Sequence, residues 1–278
     1  MAFPVNAVTL NDGTSIPQLG LGTYRLADDD AYRVASQALE MGYRHIDTAR
    51  LYHNEPGIGR AIRESGIPRD DLYITTKLWN GDQPKARDAL SGSLDRLGLE
   101  HVDLYLIHWP APLRGTYVDA WKQLEVLRAD GLTTSIGVSN FEPEHLDAIA
   151  AVSDVVPVIN QVELHPLFQQ KALRAEHAKR GIATESWGPL CHGAVDLVEE
   201  MPALVNLAER YEKTIAQVIL RWHLQHGIII FPKTSSKERL VENFALFDFE
   251  ISDADIREID GFDINKRLGT APADGNWD

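Results

Sequence analysis

The sequence has one cysteine and comparatively few positive charges. Because Cys191 stands alone, an internal disulfide is excluded. The chain has 27 Lys and Arg residues and 41 Asp and Glu residues, which gives a formal net charge of −14. Such a charge repels phosphate backbones and anionic lipid surfaces. We therefore expect neither nucleic acid nor a membrane as a partner, and we predict no metal site.

Targeting and membrane-spanning segments are also missing from the sequence. Residues 1–10 combine neither the basic stretch nor the apolar run of a signal peptide. No part of the chain approaches the roughly 18 uninterrupted apolar residues that a membrane span requires. We therefore expect a cytoplasmic protein.

A Gly-x-Gly-x-x-Gly fingerprint is absent as well. Gly20 and Gly22 end the first apolar segment, but Thr23, Tyr24 and Arg25 follow them, so the third glycine is missing. The Rossmann type of dinucleotide site is thereby excluded. An anionic cofactor remains possible wherever the few Lys and Arg side chains cluster.

Short β-branched segments alternate with amphipathic helical segments from about residue 18 to about residue 245. This alternation is typical of βαβ units around a parallel sheet. Strands are predicted at residues 18–22, 45–47, 72–76, 103–107, 135–139, 158–163, 183–186 and 228–232. Eight such units favour a closed (β/α)8 TIM barrel, which we predict as a single domain over residues 1–278.

Helix signals and added segments agree with this organisation. Thr214 and Gln217 have the spacing of a capping box. Five glycines stand where helices should end in the left-handed conformation, namely Gly42, Gly66, Gly98, Gly131 and Gly181. Residues 5–16 predict an N-terminal hairpin with its turn at residues 11–13. Residues 252–261 predict an added C-terminal helix before an irregular tail.

Polar residues recur at the predicted strand ends with a regular spacing. Asp47, Lys77, His108 and Ser139 are 30, 31 and 31 residues apart, and each lies at the carboxyl end of a strand. In a (β/α)8 barrel these ends form the mouth where active sites are built. A single histidine in such a place is usually a hydrogen-bonded core residue. Four polar residues in phase on one rim indicate a site instead.

Three segments resemble the signatures of the aldo-keto reductases, in the same order along the chain. GYRHIDTARLYHNEPGIG (residues 42–59) resembles the first signature, IGVSNF (residues 136–141) the second, and PKTSSKERLVEN (residues 232–243) the third. KLWN (residues 77–80), HWP (residues 108–110) and ESWGPL (residues 185–190) are most similar to the bacterial 2,5-diketo-gluconate reductases. The resemblance covers nearly the whole chain and implies NADPH-dependent reduction of aldehydes and ketones, including small keto-sugars or keto acids.

The resemblance implies a catalytic tetrad of Asp47, Tyr52, Lys77 and His108. Carbonyl reduction needs a proton donor at the oxygen, and the unperturbed pKa of a tyrosine is about 10. A neighbouring ammonium stabilises phenolate, so we expect Lys77 to lower the pKa of Tyr52 while Asp47 holds Lys77 in place. A neutral His108 could donate a hydrogen bond to the carbonyl oxygen.

The resemblance also implies that NADP(H) lies extended across the barrel mouth. It assigns Ser139, Asn140 and Gln161 to the nicotinamide carboxamide and Trp187 to stacking on the ring. Lys233 and Arg239 would receive a 2′-phosphate, since charge-assisted hydrogen bonds are strong. The remaining cofactor contacts that it implies are Gly22, Thr23, Tyr24, Asp47, Gly188, Leu190, Thr234, Glu242 and Asn243.

Trp79 and Trp109 are the implied walls of the substrate pocket, together with Tyr24, Tyr52 and His108. Trp121 and Trp222 lie on helices and are expected in the core, whereas the position of Trp277 is left open. We expect a monomer that acts on a small carbonyl compound. Two alternatives stay open: a cofactor-sensing subunit on the same scaffold, and a phosphate-handling barrel isomerase or lyase.

Overall fold

The computed structural model describes residues 6–277, which begin with an antiparallel hairpin. Its strands are β1 (Ala7–Thr9) and β2 (Ser15–Pro17), and Val8 is paired with Ile16. Gly13, with φ of +85°, lies in the turn, which is closed by a bond from the Leu10 N–H to the Thr14 carbonyl. The predicted hairpin is confirmed, except that position 5 and the rest of residues 1–5 lie outside the described residues, as does residue 278.

Eight parallel strands follow in the order in which they occur along the chain. They are β3 (Leu21–Gly22), β4 (His45–Asp47), β5 (Tyr73–Leu78), β6 (Val102–Ile107), β7 (Thr133–Ser139), β8 (Ile159–Glu163), β9 (Ala183–Trp187) and β10 (Ile229–Ile230). Parallel bridges from Leu19 to Ile230 and from Gly22 to Lys233 close the sheet on itself. The predicted (β/α)8 barrel is confirmed, although the first and last strands are shorter than predicted.

Helices surround the strands and extend the chain beyond them. They are α1 (Asp28–Met41), α2 (Glu55–Ser65), α3 (Ala86–Leu97), α4 (Tyr117–Ala129), α5 (Pro143–Ala150), α6 (Lys171–Arg180), α7 (Leu197–Glu200), α8 (Ala203–Tyr211), α9 (Ile215–Gln225), α10 (Lys237–Phe244) and α11 (Asp253–Asp260). The predicted capping box of Thr214 and Gln217 is present at the start of α9. Helix α11 is the predicted addition after the barrel.

Apolar and polar side chains divide the barrel interior into two layers. Ile16, Leu104, Leu106, Ile159 and Ile229 form a fully buried apolar cluster at its amino-terminal end. The carboxyl-terminal layer is equally buried but consists largely of polar side chains. Because buried polar groups must find partners, this second layer is where a site is expected.

The helices pack on the outside of the strands around a larger apolar cluster. Trp121 and Trp222 are fully buried there, which confirms that they are core residues. Within residues 6–277, no helix combines the length and apolar character needed to cross a bilayer.

Helices α2 and α3 touch at Gly59, which leads to a stability prediction. A Cβ at Gly59 would lie 2.2 Å from the Leu97 carbonyl oxygen, so Gly59→Ala should force the helices apart and cost about 1–3 kcal/mol of unfolding free energy. Gly92→Ala is the matched control, since its Cβ meets only the flexible Arg96 guanidinium. It should stabilise α3 by about 0.5–1 kcal/mol. Urea denaturation measures the unfolding free energy of both variants. Equal changes in the two would contradict the packing argument.

Candidate active site

Residues of the predicted tetrad meet at the mouth of the barrel. Asp47 is the last residue of β4, Lys77 lies near the end of β5, and His108 directly follows β6. Tyr52 ends a short 3-10 turn, Arg50–Tyr52, which directs the chain from β4 towards α2. Regular strand spacing thus brings three of these side chains together, and the turn adds the fourth.

Lys77 and Asp47 form a buried ion pair. Lys77 Nζ donates to Asp47 Oδ1 at 2.6 Å and to the Thr48 carbonyl at 3.0 Å. Lys77 is fully buried and Asp47 is 1% exposed. Burial raises the pKa of Asp47, while the ammonium beside it acts in the opposite direction. Removing either partner would leave an uncompensated charge in the barrel, which is strongly unfavourable.

The hydroxyl of Tyr52 lies 3.5 Å from Lys77 Nζ. Its environment nevertheless differs from the one expected. Burial and the negative charge of Asp47 raise the pKa of Tyr52 well above its usual value. The expected lowering of the Tyr52 pKa by Lys77 is therefore wrong, because a phenolate at this place loses its hydration and lies close to the negative charge of Asp47. Tyr52 is consequently protonated at neutral pH.

His108 lies beside Tyr52 and is neutral. Its ring centroid is 5.8 Å from that of Tyr52 and 5.3 Å from that of Trp79. Burial and the positive charge of Lys77 lower the pKa of His108 well below its usual value. A neutral imidazole keeps one N–H that can donate to an oxygen at the mouth. The expected protonation state of His108 thus agrees with its surroundings.

Gln161 connects the ion pair to a second buried carboxyl group. Its Nε2 donates to Asp47 Oδ2 and to Glu185 Oε2, both at 2.9 Å. The two N–H groups are thereby used, so the amide oxygen of Gln161 is left as an acceptor. An acceptor at this place matches the amino group of a nicotinamide carboxamide. Gln161 therefore fits the role that the resemblance implies.

Ser139 and Asn140 are hydrogen-bonded to their neighbours. Ser139 Oγ donates to the Gln161 carbonyl at 2.8 Å, and Asn140 Nδ2 donates to the His108 carbonyl at 3.0 Å. Trp187 Nε1 donates to Asn140 Oδ1 at 2.8 Å. Asn140, with φ of +62°, thus fixes the indole of the half-buried Trp187 at the mouth. A fixed flat ring there suits stacking on a nicotinamide.

The remaining predicted contacts lie at or just after the ends of β3 and β9. Thr23 Oγ1 donates to the Asp47 carbonyl at 2.9 Å, and the Tyr24 ring lies 5.1 Å from the Tyr52 ring. A Cβ at Gly22 would lie 2.3 Å from the Phe231 carbonyl oxygen, so this glycine is required for barrel closure. Gly188 and Leu190 are both half-buried beyond β9.

The predicted adenosine end lies at the start of α10. Lys233 and Arg239 are exposed there, and within residues 6–277 neither has an acidic group within 4 Å. Thr234 and Asn243 are buried beside them. Glu242 instead accepts a hydrogen bond from Thr214, the N-cap of α9. Two unneutralised cations on a protein of charge −14 fit a phosphate group.

The C-terminal tail crosses the mouth and completes the aromatic walls. The Trp277 ring packs against Trp109 at 5.4 Å and against Trp79 at 6.4 Å. Asn80 Nδ2 donates to the carbonyls of Gly275 and Trp277, at 3.1 and 3.0 Å. The position of Trp277, which the sequence left open, is therefore over the pocket.

Glu163 anchors the beginning of the same tail. Its carboxylate accepts from the N–H groups of Leu268 and Gly269, at 2.6 and 3.0 Å. A Cβ at Gly269 would lie 2.6 Å from the Trp187 ring, so the tail passes close to the indole. The tail is consequently fixed at both ends, by Glu163 on β8 and by Asn80 after β5.

Asn80 and Glu185 were not predicted as site residues. The sequence did contain a signal for Glu185, since it lies two positions before Trp187 and thus on the same face of β9. Asn80 acts on backbone carbonyls of a distant tail, which no local pattern indicates. An open groove of about 650 Å³ between β1 and α6 contains none of the predicted residues, so the mouth is the candidate active site.

Comparisons with known proteins agree with this geometry. Residues 18–264 match the sequence profile of the Aldo/keto reductase family. An aldo-keto reductase of Mycolicibacterium smegmatis is 49% identical over 97% of this chain and 98% of its own. Methylglyoxal reductase DkgA of Salmonella typhimurium is 46% identical over 98% of both chains.

A solved structure extends the comparison. A variant of Gox0644, crystallised in complex with NADPH, superposes with a TM-score of 0.91 at 43% identity, over 96% of this chain and 97% of that one. The match to the family profile and these similarities cover nearly the full length of the described residues. The chain belongs to the aldo/keto reductase family.

Proposed function

We propose that the protein reduces aldehydes and small ketones to alcohols with NADPH, using Tyr52 as the proton donor. The observation that carries this proposal is the Tyr52 hydroxyl, 3.5 Å from the buried Lys77 ammonium and beside a neutral His108. Membership of the family and the NADPH-bound relative support NADP(H) as the cofactor. The name of the DkgA relative makes methylglyoxal a suitable first substrate.

The chemistry of the site follows from the three side chains. When bound, NADPH would supply hydride to the carbonyl carbon. His108 donates a hydrogen bond to the carbonyl oxygen and orients it, and Tyr52 transfers its proton as negative charge develops there. An alkoxide is a stronger base than phenolate, so a raised pKa of Tyr52 does not prevent the transfer. Lys77 then lies next to the phenolate that remains.

The cofactor would be held by residues on both sides of the mouth. Gln161 offers its amide oxygen to the carboxamide, and Trp187 offers its indole face to the ring. Lys233 and Arg239 would bind the 2′-phosphate. The substrate would lie between Trp79, Trp109 and Trp277, where apolar walls discriminate by only about 1–3 kcal/mol per methylene. A monomeric state, a cytoplasmic location and the absence of a nucleic-acid partner remain predictions.

The direct test is the loss of NADPH absorbance in the presence of methylglyoxal, other aldehydes, keto-sugars and keto acids. Turnover of any of them supports the proposal. Dinucleotide binding without turnover would favour the sensing subunit. Binding of sugar phosphate without dinucleotide would favour the isomerase or lyase.

Tyr52→Phe should lower kcat by roughly 10²–10⁴ because the proton donor is lost, while NADPH still binds. Stopped-flow reduction and NADPH fluorescence titration measure the two effects. Tyr117→Phe, on α4 away from Lys77, is the control and should leave kcat within about two-fold. Near-normal turnover by Tyr52→Phe would make His108 the acid.

Cofactor preference should depend on Lys233 and Arg239. Each charge-assisted contact contributes about 1.5–3 kcal/mol before solvent screening, so we expect NADPH to be preferred over NADH by roughly ten-fold to a few thousand-fold. Replacing Lys233 by Gly and Arg239 by His should remove most of this preference by weakening NADPH. Higher salt should reduce the difference in affinity between NADPH and NADH in the parent and leave it unchanged in the double variant.

The control for net charge replaces Lys122 by Ala and Arg87 by His, on α4 and α3, away from the start of α10. It should keep the parent's preference, as dissociation constants for both cofactors would show. Equal affinities of the parent for NADH and NADPH would contradict this prediction and leave the reductase proposal intact.

A further inference from the structure

Glu185 is a buried carboxyl group to which the proposed reaction gives no role. It lies in the middle of β9, in register with Gln161 on β8 and with Ile229 on β10. The side chain is fully buried inside the barrel, below the mouth. A carboxyl group in such a place needs either a cation or a proton.

Gln161 joins Glu185 to the ion pair of the tetrad. Its two N–H groups reach Glu185 Oε2 and Asp47 Oδ2, each at 2.9 Å. Asp47 turns its other oxygen to Lys77. The sequence of contacts therefore runs from Glu185 through Gln161 and Asp47 to Lys77. A movement or a new charge at Glu185 therefore affects Lys77 and, through it, Tyr52.

The described groups around Glu185 include no cation that could balance a second negative charge beside that of Asp47. The titratable groups that face it, from β4, β5 and the turn before α2, are His45, Asp47, Tyr52, Tyr73 and Lys77. Lys77 is the cation among them, and it is already paired with Asp47.

His45 lies 3.8 Å from Glu185 Oε1 but carries no charge, because burial and Lys77 lower its pKa to about 3. Glu185 Oε1 has no hydrogen-bond partner among residues 6–277. Burial and the negative charge of Asp47 raise the pKa of Glu185 to about 8. The carboxyl group is thus neutral at neutral pH and titrates just above it.

We propose that Glu185 is a positioning residue for Tyr52, the proton donor. As an uncharged carboxyl group it holds Gln161 against Asp47 and leaves Lys77 with a single counter-anion. Where it concerns turnover, this rests on the proposed function. Ionisation of Glu185 adds a negative charge next to Asp47 and makes the phenolate of Tyr52 harder to form. Carbonyl reduction should therefore slow as the pH rises through the pKa of Glu185.

The same proton affects stability. An unfolded Glu loses its proton near pH 4.3, whereas folded Glu185 keeps it until a higher pH. Between these two values the folded state holds more protons than the unfolded state. The folded protein therefore loses stability as the pH rises through this window, and a residue that cannot ionise removes that loss.

The test compares the parent with Glu185→Gln, in which an amide replaces the neutral acid with the same shape. Glu55→Gln is the matched control, because Glu55 is equally buried but pairs with Arg96 and Thr76 outside the tetrad. Between about pH 6 and about pH 9, the ratio of kcat for Glu185→Gln to kcat for the parent should rise about ten-fold, since one pH unit above the pKa leaves about a tenth of the acid form. The ratio for Glu55→Gln should stay constant.

Two further readouts do not depend on turnover. The infrared difference spectrum of parent minus Glu185→Gln should contain the carbonyl band of a protonated carboxyl group at about pH 6 and lose it at about pH 10. The Tm of the parent relative to Glu185→Gln should fall between about pH 4.3 and about pH 8 and stay constant at higher pH. Glu185→Leu, which replaces the acid by an apolar side chain, provides the Tm comparison if the Gln variant does not fold.

A carboxylate band already present at about pH 6, or a kcat ratio and a Tm difference independent of pH, would overturn the proposal. A chain that reduces no carbonyl compound would defeat the proposed function. The infrared and Tm measurements would still decide the charge state of Glu185.

Discussion

The ion pair between Lys77 and Asp47 is the interaction on which the site depends. Two charges inside a barrel lose their hydration, and only close contact with each other and with further hydrogen-bonding groups compensates for that loss. The Thr48 carbonyl binds the ammonium and Gln161 binds the carboxylate. The positions of these groups are fixed by neighbouring parallel strands, so the barrel supplies the compensation.

The ion pair also affects the protonation states of the neighbouring side chains. Burial and the positive charge of Lys77 keep His108 and His45 neutral, which leaves His108 able to donate a hydrogen bond. Burial and the negative charge of Asp47 keep Tyr52 protonated at neutral pH. In the proposed reaction, Tyr52 would therefore keep its proton until negative charge develops on the carbonyl oxygen.

The alternation of strands and helices predicted the barrel. The spacing of Asp47, Lys77 and His108 predicted a site at one rim, because parallel strands bring their carboxyl ends together. The tetrad itself was assigned from the resemblance to the family signatures. Side-chain ionisation could not be predicted in the same way. The effect of Lys77 on the pKa of Tyr52 depends on the 3.5 Å distance between them and on burial, and local sequence predicts neither.

Other features depend on contacts between distant segments. Glu185 contacts Gln161 through the register of β8 and β9, and Trp277 lies over the pocket because Glu163 and Asn80 hold the tail. Residues 80–85 form a 3-10 helix before α3, which begins at Ala86. The motifs thus located the site, whereas long-range packing sets its proton chemistry and its closure.

A double-mutant cycle on the ion pair tests the account most directly. Asp47→Asn, Lys77→Met and the double variant are compared by urea denaturation. Each single change should cost about 3–5 kcal/mol because it leaves a buried charge unpaired, and the double variant should cost at least about 2 kcal/mol less than the sum. Costs that add to within about 0.5 kcal/mol would show that the two charges are not coupled, and would contradict the account.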